Sequence, residues 1–271
     1  MKNNFRKAAL STVCMLVVAI LSLTGVTYAW FTAGENAVVN GMNVTVATAE
    51  GGVQVRGENA PGEWSTTWQN ELNLNVNANS IKPVSSADAI HFFTIDEVNP
   101  ENANQYTVIS VDKATDSNII VKKFQLSNPG ADAIQVNLTG STIENANQDA
   151  SVKPIYQAAR VALIVTGGEN SVTYYLGATE GDSWNGFTAT ADENNYATLG
   201  TTGSAKTTNT FEGCVINLPA NPDNGDLTEN KVVTVELVLW LEGQDADCTN
   251  ANASGAFEVN LNFQKVTASN D

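Results

Sequence analysis

The sequence predicts an all-β protein, an antiparallel sandwich of jelly-roll or Greek-key type preceded by an N-terminal signal helix. Three observations carry that prediction. Apolar and polar residues alternate with a period of two in many short runs. Clusters of Gly, Asn, Asp and Pro separate those runs, as turns do. Beyond residue 29 no window of about 11–18 residues carries a helical period.

The first 29 residues differ in kind from the rest. Lys2, Arg6 and Lys7 give a positive start, Ala8 to Val26 is a nearly uncharged apolar run, and Thr27-Tyr28-Ala29 ends it with small residues where a signal peptidase reads them. Cleavage is expected between Ala29 and Trp30. The apolar run also approaches the ~20 residues that span a bilayer, so a retained anchor is the alternative. The small-x-small site and the lack of a stop-transfer charge cluster favour cleavage, and Cys14, which has no lipobox around it, leaves with the segment.

The expected organisation is a signal segment at 1–29, an N-terminal strand segment at 30–48, and one sandwich domain with long loops at 49–271, since no linker, repeat or composition break divides the remainder. Along that remainder, strands are expected at Leu72 to Val76, Ile90 to Ile95, Tyr106 to Val111, Ile119 to Leu126, Ile134 to Leu138, Val161 to Val165 and Val172 to Leu176. The stretch from Gly177 to Ala205 reads as long loops, and any helix is confined to short connections such as Ala150 to Gln157. Val232 to Leu241 places Val233, Val235, Leu237, Leu239 and Leu241 on one face and Val232, Glu236, Val238 and Trp240 on the other, the pattern of a central strand. Phe257, Val259, Leu261 and Phe263 alternate with Glu258, Asn260, Asn262 and Gln264 in a last strand with one dry and one wet face.

The formal net charge is −16, and it moves to about −19 once the three cations of the signal are gone, because ten Lys and Arg then face 29 Asp and Glu. Such a surface repels nucleic acid and anionic headgroups, which leaves the signal segment as the one expected membrane contact. It also keeps an exported protein soluble. Two cysteines remain after export, Cys214 and Cys248. An even count outside the cell favours a bridge between them, with two buried thiols as the alternative.

Catalytic motifs are not found. The single histidine, His91, sits beside Phe92 and Phe93 and supplies no triad, Cys/His pair or zinc pair. No phosphate-binding glycine loop or dinucleotide fingerprint occurs, and no pair among the 29 acidic residues stands out, so the chain is not expected to be an enzyme and needs no cofactor. Two acidic clusters offer oxygen ligands for Ca²⁺: Glu242, Asp245 and Asp247 after the Trp240 strand, and Asp223, Asn224 and Asp226 in a Pro-Gly loop. Arg160 interrupts an apolar strand; it is expected to point to solvent, or, if inward, to pair with Glu236 or Glu242.

The segment Trp30-Phe31-Thr32-Ala33-Gly34-Glu35-Asn36, the Asn40-Gly41 pair and the apolar strand through Val44, following a signal that ends Thr27-Tyr28-Ala29, resemble the TasA and camelysin-like biofilm-matrix proteins, substrates of the sporulation-type signal peptidase. The likeness covers roughly residues 1 to 48; Trp240 to Cys248 also resembles a strand-end element of large exported proteins with such signals. The cysteine pair and the middle of the chain depart from the pattern, and the absence of His-Glu-x-x-His weakens any transfer of the protease association. The resemblance implies a secreted jelly-roll subunit of a surface or biofilm-matrix fibre of a Gram-positive cell. It would polymerise head to tail with copies of itself by donor-strand complementation, after signal peptidase has freed its N-terminus. Val38, Val39, Met42, Val44 and Val46 would form the donated strand, filling a neighbour's open groove. The alternative for that strand is ordinary pairing within its own sheet. The alternative for the protein is a monomeric surface adhesin or carbohydrate-binding module using Trp64, Trp68 and Trp184.

Overall fold

The computed structural model describes residues 36–46, 52–76, 79–98, 105–146, 154–178, 183–186, 196–198, 204–207, 209–245 and 247–266. The signal segment, the Ala29 and Trp30 junction and residues 30–35 lie outside them. Within them the chain is nearly all strand, with two short 3-10 turns and no α-helix. One of those turns, Ile155–Ala158, occupies the expected helical connection.

In chain order the strands are β1 (Ala37–Val46), β2 (Gln54–Ala60), β3 (Glu63–Trp64), β4 (Glu71–Asn73), β5 (Asn79–Ile81), β6 (Phe92–Val98), β7 (Gln105–Val111), β8 (Ile120–Ser127) and β9 (Ile134–Asn137). They continue with β10 (Thr142–Asn145), β11 (Ala159–Gly167), β12 (Asn170–Gly177), β13 (Ser183–Gly186), β14 (Tyr196–Thr198), β15 (Ser204–Thr207), β16 (Ile216–Leu218), β17 (Val233–Leu241) and β18 (Ala256–Lys265). The stretch expected as long loops thus contains β13, β14 and part of β15.

Two large sheets share one core. The first runs β16-β9-β18-β1-β4, with β10 also on β18 and β5 also on β1; the second runs β12-β11-β17-β8-β2-β3. Val39, Met42, Val259 and Phe263 of the first sheet bury against Val161, Leu163, Val235 and Leu237 of the second. The Phe124 and Phe263 rings meet edge to face across the gap, with centroids 5.9 Å apart. This is the sandwich that the alternation predicts, with β17 central as expected.

One strand pairing departs from the antiparallel pattern. β1 runs parallel to β18, from Val38 beside Ala256 to Val46 beside Phe263. A register shift at Val39 to Gly41 puts a bulge into β1, and its inward set changes parity there: Ala37 and Val39 face the core before it, Met42, Val44 and Val46 after it. Val38, counted among the apolar donor residues, is only half-buried.

The second sheet is covered on its outer face too. Val84, Ala89, Phe92, Ala162, Val238 and Trp240 form a second core there, with Phe92 edge-on to Trp240 at 5.4 Å. The strap between β5 and β6 supplies Val84 and Ala89, and β6, which opens with Phe92, continues into a three-stranded sheet with β7 and β14. This is why β17 is apolar on both faces. At the far end, the β11–β12 hairpin turns through Gly167 at φ +85°, where a β-carbon would lie 2.5 Å from the Val232 carbonyl oxygen. Only glycine fits that position.

Phe263 lies at 0 % exposure in the shared core. Its replacement by Ala is expected to lower the unfolding free energy by about 3–5 kcal/mol, read from urea denaturation with an unchanged slope.

Candidate functional site

The sequence singled out the first strand, and the structure places it as a fully integrated element. β18 flanks β1 along its whole length. On the other side two three-residue strands cover it in sections: Asn43 to Thr45 pair with β4, and Ala37 to Val39 pair with β5. Val39, Met42 and Val44 are fully buried and Val46 nearly so. On the outward face Asn43 Nδ2 donates to Asn260 Oδ1 at 3.1 Å and Thr45 Oγ1 to Asn262 Oδ1 at 3.3 Å. In the single chain, therefore, β1 fills its own groove, which is the ordinary first-strand arrangement.

At the end of the sandwich where β1 begins, the chain is tied by a node of buried polar groups. Ser254 N–H donates to Asn36 C=O and Val38 N–H to Gly255 C=O, each near 2.9 Å, so the loop ahead of β18 also anchors the start of β1. Glu242, fully buried at the other end of that loop, accepts four hydrogen bonds: from Ser85 Oγ (2.5 Å), Ser86 N–H (3.2 Å), Trp240 Nε1–H (3.1 Å) and Gln244 N–H (3.1 Å). Val84 N–H donates to Leu241 C=O and Gly243 N–H to Val84 C=O, pinning the strap over Trp240. Burial pushes the Glu242 carboxyl up to about 7, against the opposing pull of those donors, Ser85 first.

Arg160 corrects the expectation of a solvated arginine. Its parity does face outward, opposite Trp240 in the register, but the strap and the 242–255 loop cover that face and leave it 1 % exposed. Its partner is neither Glu236 nor Glu242. The guanidinium reaches the Asp245 carboxylate through Nη2 and donates from Nη1 to the carbonyls of Gln157 (2.7 Å) and Ala159 (3.0 Å). Glu236 instead takes Lys113 at 2.6 Å and Lys123 at 3.4 Å.

The expected Ca²⁺ ligands do not converge. Glu242 turns into the strap, Asp245 holds Arg160 and the Asp247 N–H, and Asp226 caps Thr228 N–H. Among the described residues no group of three or more His, Cys, Asp or Glu side chains is placed to hold a metal ion. The expected Cys214–Cys248 bridge is likewise corrected: both are buried thiols. Cys214 Sγ donates to Thr210 C=O at 3.3 Å. Burial, then the Glu242 and Asp245 carboxylates, push the Cys248 thiol well up, which keeps it protonated and unreactive.

The chain matches no protein-family model, no curated protein and no solved structure. Its site is therefore read from its own geometry.

Trp64 and Trp68 are half-buried and hold the Arg56 guanidinium, which lies 4.6 Å from the Trp68 ring centroid and 6.0 Å from that of Trp64. Arg56 in turn donates to Gln125 Oε1 from Nε (2.8 Å) and Nη2 (2.6 Å), so this cluster braces β2 against β8. Trp184 lies on β13, opposite Lys206, and not in a loop. His91 is exposed, with Nδ1 at 2.7 Å from Asp88 Oδ2.

The Glu242 carboxyl generates a signed pH dependence. Once the chain unfolds, the group returns from about 7 to its ordinary value of 4.5. Between those values only the folded state keeps the proton. Stability therefore falls as pH rises from the lower value to the upper, by on the order of 3 kcal/mol, and is level above. In a Glu242→Gln variant this fall is expected to disappear, measured by urea denaturation at about pH 5 and about pH 7.5.

Proposed function

We propose that this chain is a secreted structural subunit of an extracellular surface or biofilm-matrix fibre, a jelly-roll sandwich that polymerises by donating its N-terminal strand to the next copy. The observation that supports this most is the position of β1. It is the first described strand, and its inward residues are buried to within 5 %. A copy of β1 from a neighbour would make the same contacts with β18, β4 and β5 that the chain's own strand makes.

Exchange of that kind costs little at equilibrium, because each lost contact is regained in trans, and the head-to-tail relation propagates without closing. The short lengths of β4 and β5, three residues each, lower the barrier further: one side of β1 unpairs in two small steps. The bulge at Val39 to Gly41 fixes where the strand must sit, since a slip of one residue would turn Met42, Val44 and Val46 out of the core. The acidic body, at −16 for the whole chain, keeps the subunits apart until a strand is offered.

Removing residues 30–48 is expected to abolish fibres while the intact exported protein forms them, as judged by negative-stain microscopy. Fibres from the shortened chain would overturn the proposal, as would persistent monomers of the intact protein at high concentration across pH.

A further inference from the structure

The strap that covers the outer face of the second sheet, residues 82–91, is braced within itself. Ser86 Oγ accepts from Ala89 N–H (2.9 Å), and Asp88 Oδ1 accepts from Ile90 N–H (2.9 Å) and His91 N–H (2.8 Å). Ser85 exchanges main-chain hydrogen bonds with Phe93, at 2.8 and 3.0 Å, which joins the strap to the start of β6 and not to the sheet beneath. Toward that sheet, Val84 bonds Leu241 and Gly243, and Tyr175 Oη donates to the Asp88 carbonyl at 3.2 Å. Ser85 Oγ and Ser86 N–H converge on Glu242, and Gln244 Nε2 donates to Ser85 Oγ at 3.1 Å.

Two features make this fastening reversible. Ala89 is fully buried at φ +57°, a left-handed conformation that a residue with a β-carbon adopts only when its surroundings force it, and lifting the strap releases it. Glu242 is 0 % exposed, as are Ser85 and Ser86, which form the strap's side of its pocket. Lifting the strap therefore hydrates the carboxyl, so ionisation and opening are coupled.

The other charged and titratable groups around the node do not oppose that coupling. On the loop after β17, Asp245 is paired with Arg160 of β11 and accepts the Asp247 N–H. The Cys248 thiol, pushed well up by burial, keeps its proton. On the strap, Asp88 and His91 bond each other at 2.7 Å and move together. Tyr175 of β12, pushed up by burial and then by Asp88, stays a phenol.

We propose that the strap is a proton-controlled cover: it lies on the second sheet while Glu242 is protonated and lifts when that carboxyl ionises, uncovering Val238 and Trp240. This movement is separate from strand donation and does not rest on it. The carboxyl sits at about 7 under the closed strap and returns to 4.5 in water, so opening becomes more favourable as pH rises between those values and is level beyond them. From about pH 5 to about pH 7.5 the open population is expected to grow on the order of 50-fold.

The test is hydrogen exchange of the exported protein, followed by mass spectrometry at those two pH values and corrected for the intrinsic pH dependence of exchange. Peptides covering residues 82–91 are expected to exchange faster than those of β11 and β17 at both values, at rates that low urea leaves unchanged, and to speed up about 50-fold at the higher pH. In Glu242→Gln, which cannot ionise, that gain is expected to vanish. Ser85→Ala removes one donor to the ionised carboxyl and leaves the titrating group; it is expected to keep the gain and to exchange faster than the parent at the higher pH. Strap peptides that exchange in step with β11 and β17 would mean that the cover opens only when the whole chain unfolds, and would overturn the proposal. So would a gain that survives in Glu242→Gln, or one that is lost in Ser85→Ala.

Discussion

The parallel pairing of β1 with β18 is the constraint on which the rest of the sandwich depends. It brings the first described strand and the last into the middle of one sheet, and β16, β9, β10, β4 and β5 are arranged around that pair. Without β1 the sheet would split between β18 and the short strands β4 and β5, and Val259, Leu261 and Phe263 would lose the neighbours that complete their side of the core. A strand that completes the core, and whose contacts a neighbour's copy would reproduce, is a component that two copies can trade at nearly equal energy. The proposed assembly follows from that combination.

The second organising feature is the cover on the outer face of the other sheet. Glu242, with four donors on one carboxyl, fastens the strap to the end of β17, and Arg160 with Asp245 fastens the following loop to β11. These buried ionisable groups carry a desolvation cost, and the hydrogen bonds around them are what offset it. Both fastenings stand at the end of the sandwich where β1 enters, so the position of the first strand depends on polar contacts as well as on the core.

Alternation made the strongest strands readable from the sequence. β18 follows it without interruption, and the apolar residues Val238 and Trp240 on the outer face of β17 correctly marked a central strand. The remaining features depend on distant parts of the chain. β2 reads Gln-Val-Arg-Gly-Glu-Asn-Ala, and its burial arises because Arg56 is held by Trp64, Trp68 and Gln125, which no local period expresses. Arg160 was correctly assigned to the outer face, but a period of two does not say that a strap from between β5 and β6 crosses that face. Glu242 and Asp245 were noticed as a possible cation site; their roles as a strap anchor and an arginine partner depend on Ser85 and Arg160, each more than 80 residues away along the chain. The bulge in β1 was foreshadowed by Asn40-Gly41, and the change of parity from Val39 to Met42 was present in the spacing of the apolar residues.

The central claim is that β1 of one chain can occupy the seat of β1 in another, and a disulfide between two singly substituted proteins tests it most directly. Asn43→Cys and Asn260→Cys mark neighbouring positions on β1 and β18, and neither protein can form this bond alone. Mixed, assembled under fibre-forming conditions and then oxidised, they should give a covalent heterodimer joining the two marked positions, identified by peptide mapping. Fibres that form from the mixture with no such bond, while the doubly substituted chain readily closes the bond within itself, would contradict strand donation.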